Sequence, residues 1–224
     1  MDFKWKHFKS DIILSAIRWY VSYPSSYRQA EEMLKERGLE VDHSSVQRWV
    51  VEYSHQLAKK FASHKKAVGK SWRMDETYIK VKGVWHYLYR AVDKIGQTID
   101  FYLSKRRDAA SAKRFFQKAI RSSGKPEKVN IDKSGSNTAA LNNINRDYKP
   151  NFQIKIRQNK YLNNMIEQDH RFIKKKVKPM LWFYSLKSAR ATLCGIELHH
   201  MLRKGQHKTL HNKPIWEQFS SLSG

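Results

Sequence analysis

Arg73-Met-Asp-Glu-Thr-Tyr-Ile-Lys-Val81 changes the period of this chain from helical to alternating. The spacing predicts three strands, 73–82, 85–93 and 97–104, joined by Lys82-Gly83 and by Asp93-Lys-Ile-Gly96. Both joints are short and Gly-bearing, as hairpin connections are. Ile, Val, Tyr and Phe dominate the runs, in keeping with half-buried strands. Downstream, Ala109, Ala112, Phe115, Phe116, Ala119 and Ile120 recur at helical spacing over 108–123, and Gly124 closes that helix. A fourth strand, 127–132, ends in Asp132, and a helix over 134–147 and a short fifth strand at 152–156 follow. Two further helices complete the pattern, one bearing Glu167 and one from Leu186 to Arg203. A meander followed by alternating helix and strand predicts an α/β (α+β) domain, a mixed sheet flanked by helices.

Upstream of the meander the pattern is all-α. Ile12, Ile13, Ala16, Ile17 and Tyr20 form one apolar stripe, broken at Pro24-Ser25-Ser26. Ser26 and Gln29 have capping-box spacing for a second helix that buries Ala30, Met33 and Leu34 and stops at Gly38. Asp42 or a following Ser caps a third, with Val46, Trp49, Val50 and Tyr53 inward. Three short helices read as a helix-turn-helix module over 1–56. Its third helix would present His43, Ser44, Ser45, Gln47 and Arg48, residue types that contact base edges and phosphates. A small bundle that only packs on its neighbour is the structural alternative. Residues 57–71, with Lys59, Lys60, Lys65, Lys66 and Lys70, read as a basic linker or helix tail. The sheet domain then spans 72–205, and 206–224 is a C-terminal tail.

The charge balance narrows the partner. Against 20 acidic residues stand 44 Lys and Arg, a formal net charge of +24. Such a field favours a polyanion, nucleic acid above all. No apolar run approaches the roughly 18 residues of a membrane span, and no basic amphipathic helix with a clear apolar face supports binding to a membrane surface. The opening MDFKWKHFKS is too charged for a signal peptide. Cys194 is the only cysteine, so neither an intrachain disulfide nor a thiolate metal cluster is available. A soluble, cytoplasmic protein is expected. There is no internal repeat and no low-complexity segment.

Tyr161-Leu-Asn-Asn-Met-Ile-Glu-Gln-Asp-His-Arg-Phe-Ile-Lys174 carries the chemistry. On a helix, Asn163, Asn164, Glu167, His170, Arg171 and Lys174 share one face, because residues three, four and seven apart stack. That places one carboxylate among groups suited to holding phosphates. Asp132 precedes Glu167 with 34 residues between them, and Asp75 precedes Asp132 with 56 between. A mid-strand Asp, an Asp ending the adjacent strand and a Glu on a helix crossing that edge would converge on one spot. Two divalent ions ~3.5–4 Å apart suffice for phosphodiester chemistry, and Mg²⁺ or Mn²⁺ takes such oxygen ligands. Each acid also has a plain reading. Asp132 suits a helix N-cap, Asp75 or its neighbour Glu76 suits solvent, and Glu167 suits an ion pair with Arg171. Pattern does not separate the three from Asp93, Asp100, Asp108 and Asp169.

The combined motifs resemble the DDE transposases of bacterial insertion sequences, relatives of retroviral integrases. They are Met74-Asp-Glu-Thr-Tyr-Ile-Lys80, Trp85-His-Tyr-Leu-Tyr-Arg-Ala-Val-Asp93, Ile131-Asp-Lys133 and Tyr161 to Arg171. The likeness runs from Asp11-Ile-Ile-Leu14 to Gly195-Ile-Glu197, and it is similar in particular to the small insertion-sequence family that moves by cointegrate formation. It implies a ribonuclease-H-like core, with the acidic triad on Asp75, Asp132 and Glu167 and the basic residue seven positions on at Lys174. It further implies two Mg²⁺ or Mn²⁺ ions, cleavage freeing a 3′-hydroxyl and transfer of that hydroxyl into target DNA. Partners would be the terminal inverted repeats, target DNA and a second copy of the chain or a larger synaptic assembly. Asn163, Asn164, His170 and Arg171 would sit near phosphates, and Lys175, Lys176 and Lys178 would add salt-sensitive grip. Two other functions remain open on the residues alone: a non-catalytic helix-turn-helix repressor or decayed transposase copy, and a nuclease that only hydrolyses.

Overall fold

The structure, a computed structural model, describes residues 3, 7–180 and 183–223. Met1, Asp2 and residues 4–6 of the opening segment lie outside the described residues. The chain forms two compact units, 67–171 and 1–66 with 172–224.

The first unit is built on the meander. Strands β1 (Ser71–Val81), β2 (Val84–Asp93) and β3 (Thr98–Ser104) pair antiparallel in sequence order. Lys82 and Gly83, both at positive φ, form the two-residue turn between β1 and β2, the backbone that the right-handed twist of a hairpin prefers. Helix α4 (Ala109–Ser123) leads to β4 (Lys128–Asn130), α5 (Gly135–Asn145), β5 (Lys155–Arg157) and α6 (Lys160–Val177), whose last residues belong to the other unit. Both β4 and β5 run parallel, β4 beside β1, so the sheet order is β3-β2-β1-β4-β5. Trp72 and Met74 of β1 and Tyr89 and Ala91 of β2 face Ala112, Phe115, Phe116 and Ala119 of α4 and Ala140, Leu141 and Ile144 of α5 in one core. The predicted fifth strand begins later, because Pro150 opens a 3₁₀ turn over Pro150–Phe152. The fourth stops at Asn130, two residues short of Asp132.

In the second unit α1 (Ser10–Ser22), α2 (Tyr27–Lys35) and α3 (His43–His64) precede α7 (Leu186–Arg203) and α8 (Ile215–Ser220). Ser26 and Gln29 make the expected capping box, each side chain bonded to the other's backbone N–H. Asp42 caps α3 by accepting from the Ser44 N–H. α3 extends to His64 and so takes in much of the segment read as linker or helix tail. The connection between α2 and α3 spans 36–42, with Gly38 left-handed. Within 206–223, Gln206, His207, Phe219 and Leu222 are buried. α7 is buried on nearly every side, and Gly195 lets α1 and α3 come close. A Cβ there would stand 2.7 Å from Val21 Cγ1 and 3.2 Å from Ser54 Oγ.

Two outcomes follow for stability. Gly195→Ala overpacks this contact and is expected to lower unfolding free energy by about 1–3 kcal/mol in denaturant titrations. Burial, reinforced by Lys176, Arg203 and Arg18, pushes His199 on α7 down to about 3 from an ordinary 6.5. Neutral in the folded chain, it binds a proton below pH 6.5 only on unfolding. Its contribution is therefore fully present above about pH 6.5 and is lost toward about pH 3, at up to about 1.4 kcal/mol per pH unit. Stability measured from about pH 7 to about pH 4 should fall less steeply in His199→Gln than in the parent.

Candidate active site

β4 pairs with β1 only across Ser71, Trp72 and Arg73. From Met74 onward β1 continues with no strand on that side, and the chain leaving β4 turns across the gap through Ile131 and Asp132. Ligands of open sheets collect where parallel strands end and their connections part. A cleft of about 510 Å³ opens there, lined by Asp75, Ile131, Asp132, Lys133, Gln158, Lys160, Asn163 and Glu167. The three acids singled out in the sequence thus line one cleft.

They are not equally close. Asp75, Asp132 and a residue outside the expected set, Glu76, offer carboxylate oxygens within 4.8 Å of one another, and Glu167 lies outside that group. Glu76 does not face solvent. It follows Asp75 on β1 and so turns to the opposite face, toward α5, where its side chain is 3% exposed. Its Oε1 accepts from Asn137 Nδ2 at 3.1 Å, and Arg107 Nη2 lies 3.4 Å from its Oε2. Burial raises the Glu76 pKa above the usual carboxylate range, and Arg107 and Asn137 oppose that rise. Asp132 accepts the Ser134 N–H at 3.1 Å, a turn-forming contact ahead of α5. It also receives Arg107 Nη2 at 3.0 Å and Asn137 Nδ2 at 3.3 Å.

On the other face of β1, Asp75 meets α6. Its Oδ2 lies 3.4 Å from His170 Nε2. His170 Nδ1 is 3.3 Å from Arg90 Nη1. Arginine only donates, so Nδ1 accepts and the ring proton sits on Nε2, toward Asp75. Arg90, paired with Asp75 in the β1–β2 register, also binds Asp169 Oδ2 at 2.6 Å with its own side chain 1% exposed. Burial lowers the His170 pKa, and Asp75 opposes it.

Burial divides the expected DNA contacts. The face 163, 164, 167, 170, 171 and 174 divides. Asn164, Glu167, Arg171 and Lys174 are exposed, whereas Asn163 and His170 turn inward beside Ile166 and Ile173. Asn163 Oδ1 accepts from Asn130 Nδ2 at 2.6 Å, and the same Asn130 side chain holds the Asn159 backbone, fixing the start of α6 against β4. His170 is 4% exposed and faces Asp75. Lys176 is 6% exposed, its ammonium over the rings of Tyr23 and Phe172, which removes it from the exposed run Lys174, Lys175 and Lys178. In the helical unit, Gln47 and Arg48 are exposed and Ser44 and Ser45 half-buried, Arg48 reaching Ser45 Oγ. His43 is held by Glu31 at 3.0 Å.

The competing acids find structural work. Asp93 binds the backbone N–H groups of Gly69, Ile95 and Gln97, Asp100 pairs with Lys118, and Asp108 caps α4. Asp169 belongs to Arg90. Among the described residues no ion pair joins Glu167 to Arg171. Asn137 and Arg107 escaped the sequence reading, in which Glu76 suits solvent. The one local signal was Glu76 itself, a charge at an inward-facing position of the β1 alternation.

The first unit is thus a mixed five-stranded sheet flanked by helices, with a carboxylate-lined cleft at the parting of β1 and β4. A family model described as a DDE domain matches residues 69–206. The transposase for the insertion sequence-like element IS431mec of Staphylococcus aureus strain Mu50 is 44% identical over 212 residues, 93% of this chain and 91% of that protein. The transposase for insertion sequence element IS257 in transposon Tn4003 of S. aureus matches to the same extent. Among solved structures, the HTLV-2 integrase catalytic core domain in complex with magnesium (dimeric form) aligns with a TM-score of 0.45 at 19% identity, over 59% of this chain and 86% of that one. A chain of the simian T-cell lymphotropic virus intasome aligns at 0.43 and 17% identity, over 57% of this chain and 49% of that one. The chain belongs to the DDE transposases of bacterial insertion sequences, enzymes that act on DNA. Among the described residues no helix is long and apolar enough to cross a membrane.

The buried pair at the back of the cleft gives a direct test. Arg90→Met leaves Asp169 without that cation and is expected to cost about 3–5 kcal/mol of unfolding free energy in denaturant titrations. Arg90→Met with Asp169→Leu should cost clearly less, because no charge is then stranded.

Proposed function

We propose that the chain binds the terminal inverted repeats of its element, cleaves to free a 3′-hydroxyl and joins that hydroxyl to target DNA, with Asp75, Asp132 and Glu167 as the metal-holding acids. The observation that carries this reading is their meeting in one cleft from a strand, a post-strand turn and a helix far apart in sequence. Their oxygens are hard donors suited to Mg²⁺ or Mn²⁺, and two such ions suffice for phosphodiester chemistry. Bound divalent ions supply an activated oxygen nucleophile and neutralise phosphate charge. The chain's part is to fix that donor set. Asp75 faces His170 Nε2 at 3.4 Å, and Asp132 is held by the Ser134 N–H, Arg107 and Asn137. Exposed Asn164, Arg171, Lys174, Lys175 and Lys178 would hold the DNA backbone. In the joining step a bond forms from the 3′-oxygen to a target phosphorus as that phosphorus releases its own 3′-oxygen.

End binding falls to the helical segment 1–56, led by Ser44, Ser45, Gln47 and Arg48 at the start of α3, with His43 holding that start to α2. Residues 72–205 would carry the catalysis, and two ends held together call for a dimer or larger assembly.

A strand-transfer assay with labelled transposon-end DNA and Mg²⁺ tests this. Asp75→Asn, Asp132→Asn and Glu167→Gln should each drop joined product to the EDTA background while end binding persists. Full joining by any of the three removes that residue from the set. Binding without nicking or joining by the parent chain, in an intact assembly, would favour a repressor.

A further inference from the structure

Glu76 is a fourth carboxylate at the cleft, and its setting differs from that of the other three. A metal ligand must be open to an ion that keeps several waters. Glu76 is nearly sealed, and both of its oxygens are engaged by donors that also engage Asp132. Asn137 Nδ2 lies 3.1 Å from Glu76 Oε1 and 3.3 Å from Asp132 Oδ1. Arg107 Nη2 lies 3.4 Å from Glu76 Oε2 and 3.0 Å from Asp132 Oδ2. Two donors on different elements, the loop before α4 and the first turn of α5, therefore bridge the same two acids.

The amide of Asn137 points the same way. Asn137 is fully buried and its Oδ1 has no hydrogen-bond partner. Turned over, that oxygen would face two carboxylates, so the acids dictate its orientation despite the cost of an unmet acceptor. Arg107 is about one-third exposed on its loop, and Glu76 is the buried charge that draws it inward.

We infer that Glu76 is a positioning residue that anchors Arg107 and Asn137, and through them sets the Asp132 carboxylate for metal. The inference rests on Asp132 being a metal ligand. Groups that orient first ligands in this way typically change metal affinity about 10–100-fold when replaced. Glu76→Gln keeps the volume and an acceptor for Asn137 but loses the charge that holds Arg107.

The test is Mn²⁺ binding to the full chain by calorimetry, with Asp132→Asn, Glu76→Gln, Arg107→Gln and the double variant Glu76→Gln/Arg107→Gln. Circular dichroism would verify folding. Asp132→Asn is the control for the underlying assignment, and unchanged Mn²⁺ binding there overturns that assignment itself. With the control lost or weakened, Glu76→Gln should bind Mn²⁺ about 10-fold more weakly with unchanged stoichiometry. Arg107→Gln separates positioning from charge. Removing a cation beside the site would tighten Mn²⁺ binding by Coulomb attraction alone, whereas loss of the anchor weakens it. The double variant should be no weaker than the weaker single one, as for residues of one device. Loss of a bound ion in Glu76→Gln would make Glu76 a ligand and overturn the inference. So would unchanged affinity in that variant, tighter binding in Arg107→Gln or additive losses. Should Glu76→Gln fail to fold, the Arg107→Gln result alone decides.

Discussion

β1 outruns β4. A strand of eleven residues lies beside one of three, and the shorter ends where the longer reaches Arg73. Past that point the backbone edge of β1 must be covered by something other than a strand. The turn after Asn130, the first turn of α5 and the start of α6 lie about this place. Carboxylates that are strangers in sequence become neighbours as a consequence of unequal strand length. Had β4 continued for another four residues, its ladder would have filled the cleft.

Such neighbours repel, and the repulsion shapes what surrounds them. On one face of β1, Asp75 is backed by a histidine whose proton is directed at it by Arg90, which is itself neutralised by Asp169. On the other face, Glu76 and Asp132 share Arg107 and Asn137. Each acid is matched by donors from an element other than its own, so the acid cluster can be compact without being left to water. Glu167 is the exception: it is exposed, and among the described residues no such donor backs it.

Where chemistry was local, the amino-acid sequence was legible. The β1–β2 turn needs only Lys82 and Gly83, the capping box only Ser26 and Gln29, and α4 only its apolar spacing and Asp108. The three acids were legible through their motifs. What stayed hidden was decided across the chain. Asn163 and His170 are polar, and on α6 they look like members of an exposed face, but Asn130 and Asp75 give them partners that make burial possible. Lys176 is long enough to lie over aromatic rings, a contact with no signature in its own neighbourhood. Arg107 sits in a run of basic residues from Lys105 to Arg107 that is indistinguishable from solvated charge until Glu76 is placed opposite it. The fifth strand starts late because the 3₁₀ turn that Pro150 opens runs to Phe152, its predicted start.

The amide pair between Asn130 and Asn163 has one more consequence, for the angular setting of α6. A helix turns about 100° per residue. With Asn163, Ile166, His170 and Ile173 facing inward, the rotational phase of this one is locked, and Glu167 takes its bearing from that lock. Chain length added to the exposed stretch 146–153 would leave the phase untouched. One residue added between Asn163 and Glu167 would swing the acid about 100° off the cleft. The interval of 34 residues between the second and third acids thus has its slack in that exposed stretch, since α5 and β5 are packed and paired. The part that sets the bearing of the acid is the single helical turn from Asn163 to Glu167.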